Sequence, residues 1–242
     1  MHACARLSVV ADPAGGAHRI VRMEHAAPVG WRPTPEAVHM VATAASPVGT
    51  DAVRLEILVG EGARLAVRSM AAGIAWSGTG SRQHVVADVG TGATLDWAPE
   101  PLIVTGRCNH RVDASITVAP GATLWWTERI VLGRHGEMPG SLSTRLTVDV
   151  GDQPLLRHRL DIGARAPAWS GPAVLRGARA VGLLLAVGPE PAGVRQRGAG
   201  WAAMPLDGPA SLGMAVAGNA TEMERAMESM RSVLAPRSAV AH

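Results

Sequence analysis

VAPGATLWW, Val118–Trp126, has two close copies upstream: VGEGARLAV begins at Val59 and VGTGATLDW at Val89. The glycines that open the shared Gly-Ala-x-Leu fall at Gly62, Gly92 and Gly121, so the steps are 30 and 29 residues. A degraded copy, VDVGDQPLL, sets Gly151 another 30 residues on. A period of this size marks a repeated supersecondary unit.

Working outward from each glycine, apolar residues occupy every second position. Val53, Leu55, Ile57 and Val59 precede Gly62; Val112, Ala114, Ile116 and Val118 precede Gly121. Val85, Ala87 and Val89 precede Gly92, and Leu142, Leu146 and Val148 precede Gly151 with Thr144 interrupting. Such alternation is a strand with one buried face. It resumes downstream with Leu65 and Val67, Leu95 and Trp97, Leu124 and Trp126, while the fourth copy offers Pro154 and Leu156. Each unit therefore reads as strand, glycine turn, strand, because glycine reaches positive φ at little cost. Tandem hairpins of a sandwich share this pattern. Units in one inward phase can also cover one another in a stack. The fold expected is mainly β: a β-helix-like stack of strand-turn-strand repeats with a C-terminal α-helix.

The ends depart from the repeat. Residues 1–50 hold short strand candidates such as Ala37–Ala42, broken by Pro28, Pro33, Pro35 and Pro47. Residues 164–218 read as loop-rich with one strand, Val181–Val187. From 219 to 235 the period becomes helical, with Met223, Ala226, Met227, Met230, Val233 and Leu234 on one stripe. Thr221 and Glu224 have capping-box spacing, and Pro236 supplies the stop. Glu222, Arg225, Glu228 and Arg231 are expected to face away. The stripe either packs on the protein's own sheet or offers Met223, Met227 and Met230 to a partner.

Composition excludes several functions. The chain of 242 residues contains no lysine, phenylalanine or tyrosine. Without lysine there is no Walker A loop, no Schiff base and no kinase-type phosphate lysine. The net charge is +3, and the high pI of about 10.0 arises because almost nothing titrates between pH 7 and 10. Basic residues are scattered, which argues against nucleic acid. The longest uncharged apolar run, Val181–Val187, is far short of a membrane span. Leu7–Ala11 is too short for a signal peptide's apolar region, and the two cysteines, Cys4 and Cys108, are a poor disulfide framework. A cytoplasmic location is expected.

The search for chemistry yields little. No His pair has helical metal-ligand spacing; Cys108-x-His110 is the nearest approach, equally a loop thiol beside a histidine. There is no Gly-x-Ser-x-Gly elbow, and GTGS at Gly78–Ser81 fits a turn. In GRHGE, Gly133–Glu137, two glycines frame Arg134 and His135, with Glu137 following. It is either a turn with an Arg–Glu pair or a rigid loop presenting charge to a partner.

Four segments in order carry a family resemblance: Ser46-Pro47-Val48-Gly49-Thr50-Asp51, Ser69-Met70-Ala71-Ala72, Trp97-Ala98-Pro99-Glu100-Pro101-Leu102-Ile103, and Gly133-Arg134-His135-Gly136-Glu137. With the strand repeats of residues 46–163, they resemble the urease accessory protein UreD family, called UreH in some bacteria. Thr50 stands where the family has a second glycine, and Gly73-Ile74-Ala75-Trp76 replaces a run containing Gln, Lys and Tyr. The resemblance implies one β-helical domain over residues 1–242, acting as a cytoplasmic chaperone rather than an enzyme. It implies UreF-like and UreG-like accessory proteins and apo-urease as partners, and Ni²⁺ as transient cargo with no tightly bound cofactor. Glu56, Asp88, Asp96 and Glu128, with Cys108 and His110, are weak candidate metal contacts; Arg134, His135 and Glu137 are partner-binding candidates. Two other readings stand beside this one. A carbohydrate-binding β-solenoid would use Trp97, Trp125 or Trp126 as platforms, although Trp97 and Trp126 lie in the apolar phase. A metal-dependent hydrolase would carry its own metal.

Overall fold

The computed structural model describes residues 1–188 and 195–235. Its strands, numbered along the chain, form two sheets around a shared core. The first contains β1 (His2–Val10), β2 (Arg19–Glu24), β5 (Ala52–Val59), β8 (Ser81–Val89), β11 (Asn109–Val118), β13 (Ser141–Val150) and β14 (Gln153–Ile162). The second contains β3 (Val29–Pro33), β4 (Val38–Ala42), β6 (Arg64–Ser69), β7 (Gly73–Ala75), β9 (Thr94–Trp97), β10 (Leu102–Val104), β12 (Thr123–Leu132), β15 (Ala180–Val187), β16 (Gln196–Gly198), β17 (Trp201–Pro205) and β18 (Ala210–Ala217). The first sheet runs β14–β13–β11–β8–β5–β1–β2, and the second β16–β17–β18–β15–β12–β9–β6–β4–β3, with β10 and β7 attached through β12.

The glycine of each unit turns the chain from one sheet into the other. β5 passes to β6, β8 to β9 and β11 to β12, so these are arches between sheets and not hairpins within one. In each arch the amide three places past the first turn residue closes on its carbonyl: Ala63 N–H to Gly60 O, Ala93 to Gly90 and Ala122 to Ala119, at 3.0–3.1 Å. Gly62, Gly92 and Gly121 hold φ of 68°, 65° and 78° at the third turn position. A turn with positive φ there alone is type II. The alanine that follows is buried in all three arches.

The fourth copy shows why that alanine matters. Asp152 stands in its place, and a carboxylate there would be buried without a partner. The chain instead folds back at Gly151–Asp152 as a hairpin, pairing β13 with β14 in the first sheet.

Stacking follows the sequence alignment residue for residue. β1, β5, β8, β11 and β13 are parallel neighbours, so Leu7, Ile57, Ala87, Ile116 and Val148 form one inward ladder. Across the core, Leu65, Leu95 and Leu124 line up, as do Val67, Trp97 and Trp126. Each fully buried Leu or Ile contributes about 1.5–3 kcal/mol, which makes this ladder the main stabilising element.

Residues 164–218, expected to hold one strand, hold four among the described residues. β15 is buried on both faces, which explains its unbroken aliphatic run, AVGLLLAV. Leu183, Leu185 and Val187 face the main core, while Leu184 and Ala186 lie under the helix. β18 reads ASLGMAVA, too rich in small residues to show alternation.

The helix α1 spans Ala220–Leu234, with Asn219 as N-cap. The capping box therefore begins two residues before the expected Thr221. Asn219 Oδ1 accepts from the Glu222 amide at 2.9 Å, and Glu222 accepts from the Gly218 amide at 3.0 Å. Asn219 has the extended backbone a cap needs and Asn-x-x-Glu the same spacing, so the two boxes overlap. Pro236, the expected stop, lies outside the described residues. Met223, Met227 and Met230 are buried against the second sheet, above Gly182 and Gly213. The stripe is thus turned onto the protein's own sheet, and these methionines present no surface to a partner. Arg231, expected to face away, reaches Asp96 at 2.8 Å and stacks over Trp125 at 4.9 Å.

Candidate functional site

The second sheet has a break in it. β6 stops at Ser69 and its coil resumes as β7 at Gly73; β9 stops at Trp97 and resumes as β10 at Leu102. β12 runs unbroken beside them, pairing Trp126 with Trp97 and then Ile130 with Leu102. Thr127, Glu128 and Arg129 thus have no strand partner on that side. Pro99 and Pro101 cause the gap in the second coil, since proline cannot donate to a ladder. The displaced backbone is satisfied locally. Glu100 N–H donates to Ser69 Oγ at 2.8 Å, and Arg129 Nη1 donates to Pro99 O at 2.9 Å.

Behind the break lies a cavity of about 390 Å³ between the sheets. Val53, Leu55 and Val85 form its far wall, and Trp97, Trp126 and Glu128 its near one. The two indoles stack with centroids 5.0 Å apart and planes 8° from parallel. Glu128 follows on the same inward phase, and its Oε1 accepts from Trp126 Nε1 at 3.0 Å. Burial pushes this carboxyl above its ordinary range, and the indole donor pulls it only partly back. The mouth is apolar and exposed: Met70 is 66% and Trp76 40% accessible, with Ala71 and Ala72 between. Two segments that carry the family resemblance, Ser69–Ala72 and Trp97–Ile103, are the two edges of this break.

The weak metal candidates are not gathered here. Glu56 lies on the outer face of the first sheet, between Arg6 at 2.6 Å and Arg54 at 2.7 Å. Asp88 is exposed on that same face. Asp96 lies on the outer face of the second sheet, held by Arg68 at 2.6 Å and Arg231. Of the carboxylate candidates, Glu128 alone points inward. Cys108 is buried, with its thiol pushed up by burial. His110 is 2% exposed and bonded to Ser81 Oγ at 2.8 Å through Nδ1; burial lowers it to about 4. Among the described residues, no group of three or more His, Cys, Asp or Glu is placed to hold a metal ion.

GRHGE forms a tight loop after β12. The Arg134 guanidinium grips Glu137 through two bonds of 2.9 and 3.0 Å. Glu137 also accepts from the Arg134 amide at 3.1 Å, and these bonds with one from Gly106 hold its carboxyl down at about 2. Arg179 donates to the Glu137 carbonyl. Gly133 is obligatory, because a Cβ there would collide with that same carbonyl and its φ is 79°. The Arg–Glu pair is engaged within the loop, while His135 is exposed at its tip.

The indoles offer no sugar platform. Trp97 and Trp126 are buried in their stack, and Trp125 carries Arg231 on its face. Sequence reasoning missed the mouth itself, Met70 and Trp76. The available signal was the pair Pro99 and Pro101 cutting a strand that its sister coil continues.

No helix among the described residues is long and apolar enough to cross a membrane. A family model described as "UreD urease accessory protein" matches residues 2–241. The chain is 38% identical over 266 residues to a protein named urease accessory protein UreD from Parafrankia sp. (strain EAN1pec), covering 97% of this chain and 89% of that protein. The protein of that name from Streptomyces avermitilis is 38% identical over 247 residues, covering 97% and 98%. The one from Streptomyces coelicolor is 41% identical over 199 residues, covering 79% and 78%. The similarity thus reaches well beyond residues 46–163, where the sequence motifs lie.

Proposed function

The chain belongs to the UreD urease accessory protein family, and from that premise we propose that it is a scaffold in urease maturation. In this reading it holds apo-urease with UreF-like and UreG-like partners in the cytoplasm while Ni²⁺ is inserted, and catalyses no step itself. Its whole length, residues 1–242, acts as one unit built on the repeat core. The observation that carries the reading is the match along residues 2–241, and the relatives are named as accessory proteins.

The geometry supports a binding role. A parallel stack gives a stiff body in which each coil buries the next. The apolar mouth at Met70 and Trp76 is the kind of surface that marks contact with another molecule. The loop at Arg134–Glu137, closed by its own Arg–Glu pair, carries His135 at its exposed tip. Nickel is cargo here, and Glu128 is the inward-facing carboxylate it would meet in the interior. Glu56 and Asp96 are neutralised by arginines and suit passing contact, since firm nickel binding needs several N, O or S donors.

Co-expression with a UreF-like protein, with affinity bait on each partner in turn, is the direct test. Recovery of a complex in both directions is expected. Failure in both, with each protein folded, overturns the reading.

A further inference from the structure

Among the described residues, Glu128 is an anion-forming group without an ion-pair partner. Its single side-chain bond is to Trp126 Nε1, whereas an ionised carboxylate can accept about four. The neighbouring arginine does not help. Arg129 has the opposite phase on β12, donating to Pro99 O and facing Glu224 at 3.2 Å. The walls of the cavity it faces are mainly Trp97, Trp126, Val53, Leu55 and Val85, with Arg82 and Gln83 also on its lining. They suit a hydrocarbon stem and offer aromatic faces, but they leave a metal dication with little beyond one anionic donor. A guanidinium or ammonium on an apolar stem fits better, because it can bond the carboxylate while its stem packs on the wall.

The surroundings of the mouth favour a polypeptide source over a free amine. Met70 and Trp76 continue the apolar surface outward from the cavity to solvent. β7 borders the mouth and pairs only with β10 among the described strands, and beyond it the Trp76 amide donates to the Pro47 carbonyl at 3.1 Å, so an extended segment could add only along β7 itself. We propose that the cavity receives the basic side chain of a partner polypeptide, an arginine whose stem passes the Met70–Trp76 mouth and whose guanidinium bonds Glu128. The proposal rests on the reading that the chain works by holding other proteins, and it names one contact by which it does so.

The test is calorimetric titration of the full chain with n-butylguanidinium, n-butanol, a blocked arginine amide flanked by leucines, and Ni²⁺. The two guanidinium probes should saturate one site, the peptide at least about tenfold more tightly because it also covers the mouth. Two variants should each lose at least about tenfold in affinity: E128Q, which removes the charge, and A71W, which fills the entrance. Far-ultraviolet circular dichroism of both should match the parent. Equal binding of n-butanol, or undiminished binding by E128Q, overturns the proposal in favour of an unspecific apolar hole. Ni²⁺ displacing the guanidinium in the parent but not binding E128Q overturns it in favour of a metal contact. Butylguanidinium binding as tightly as the peptide overturns the polypeptide source, and no binding by any probe overturns the site. These titrations use the isolated chain, so their failure is separable from failure of the co-purification that tests urease maturation.

Discussion

Replacing Gly92 by alanine isolates the backbone requirement of the arch. A Cβ at Gly92 meets nothing within 4 Å, so the substitution costs no packing. What it costs is conformational, because φ at this position is 65°. An L-residue in the left-handed region is disfavoured by about 1–2 kcal/mol. The unfolded chain loses freedom on gaining a Cβ, which offsets about 0.4–1 kcal/mol. The net loss is about 1 kcal/mol, or about 2–4 °C in melting temperature for a chain of this size. Asparagine tolerates positive φ, so G92N should recover most of that loss. Gly90 provides the contrast: its Cβ would lie 2.9 Å from the Glu61 amide nitrogen in the adjacent coil, and backbone cannot yield cheaply. G90A should therefore cost more, about 1–3 kcal/mol. Thermal and urea unfolding followed by circular dichroism would rank them G90A, then G92A, then G92N. A neutral G92A, or a G92N as damaging as G92A, would refute the type II arch.

The other expectations concern the helix and two buried titratable groups. G182V would overlap Met227 Sδ and should loosen α1 from the sheet, costing about 1–3 kcal/mol and exposing the helix to limited proteolysis. Glu128 has its folded pKa raised above the ordinary 4.5, so the native state holds a proton there that the unfolded chain releases. Stability must fall as pH rises from 4.5 through the raised value, and the advantage of E128Q over the parent should grow across that range in urea midpoints. His110 behaves oppositely. Its pKa drops from 6.5 to about 4, so stability is full above 6.5 and is lost as pH falls towards 4. H110L should flatten that acid slope, and an unchanged slope would remove His110 as its source.

The repeat was legible because one face of each strand meets only core. Leu55, Ile57 and Val59 announce themselves by alternation, and their register partners in the next coil repeat it. Whether each glycine turn closes a hairpin or an arch is not written in the alternation; it depends on whether the next residue can be buried, as Ala63 can and Asp152 cannot. β17 and β18 were hidden for another reason. Gly213 on β18 exists to admit Met230, so the need of the helix erased the strand signal. The cavity was illegible because it is made by a misfit between coils, a property of neither coil alone. Arg134 and Glu137 were visible as a pair, but sequence could not show that each had already engaged the other. The Met stripe was correctly seen as apolar, and the sheet beneath it decided which side it serves.

The most direct test of the central claim is activation of apo-urease in vitro. Purified apo-urease, UreF-like and UreG-like partners, GTP and Ni²⁺ would be combined with and without this chain, and both urease activity and bound nickel measured. The account predicts activity and stoichiometric nickel only when the chain is present, with the chain recovered unchanged and binding all its partners. Equal activation and nickel loading in its absence would contradict it.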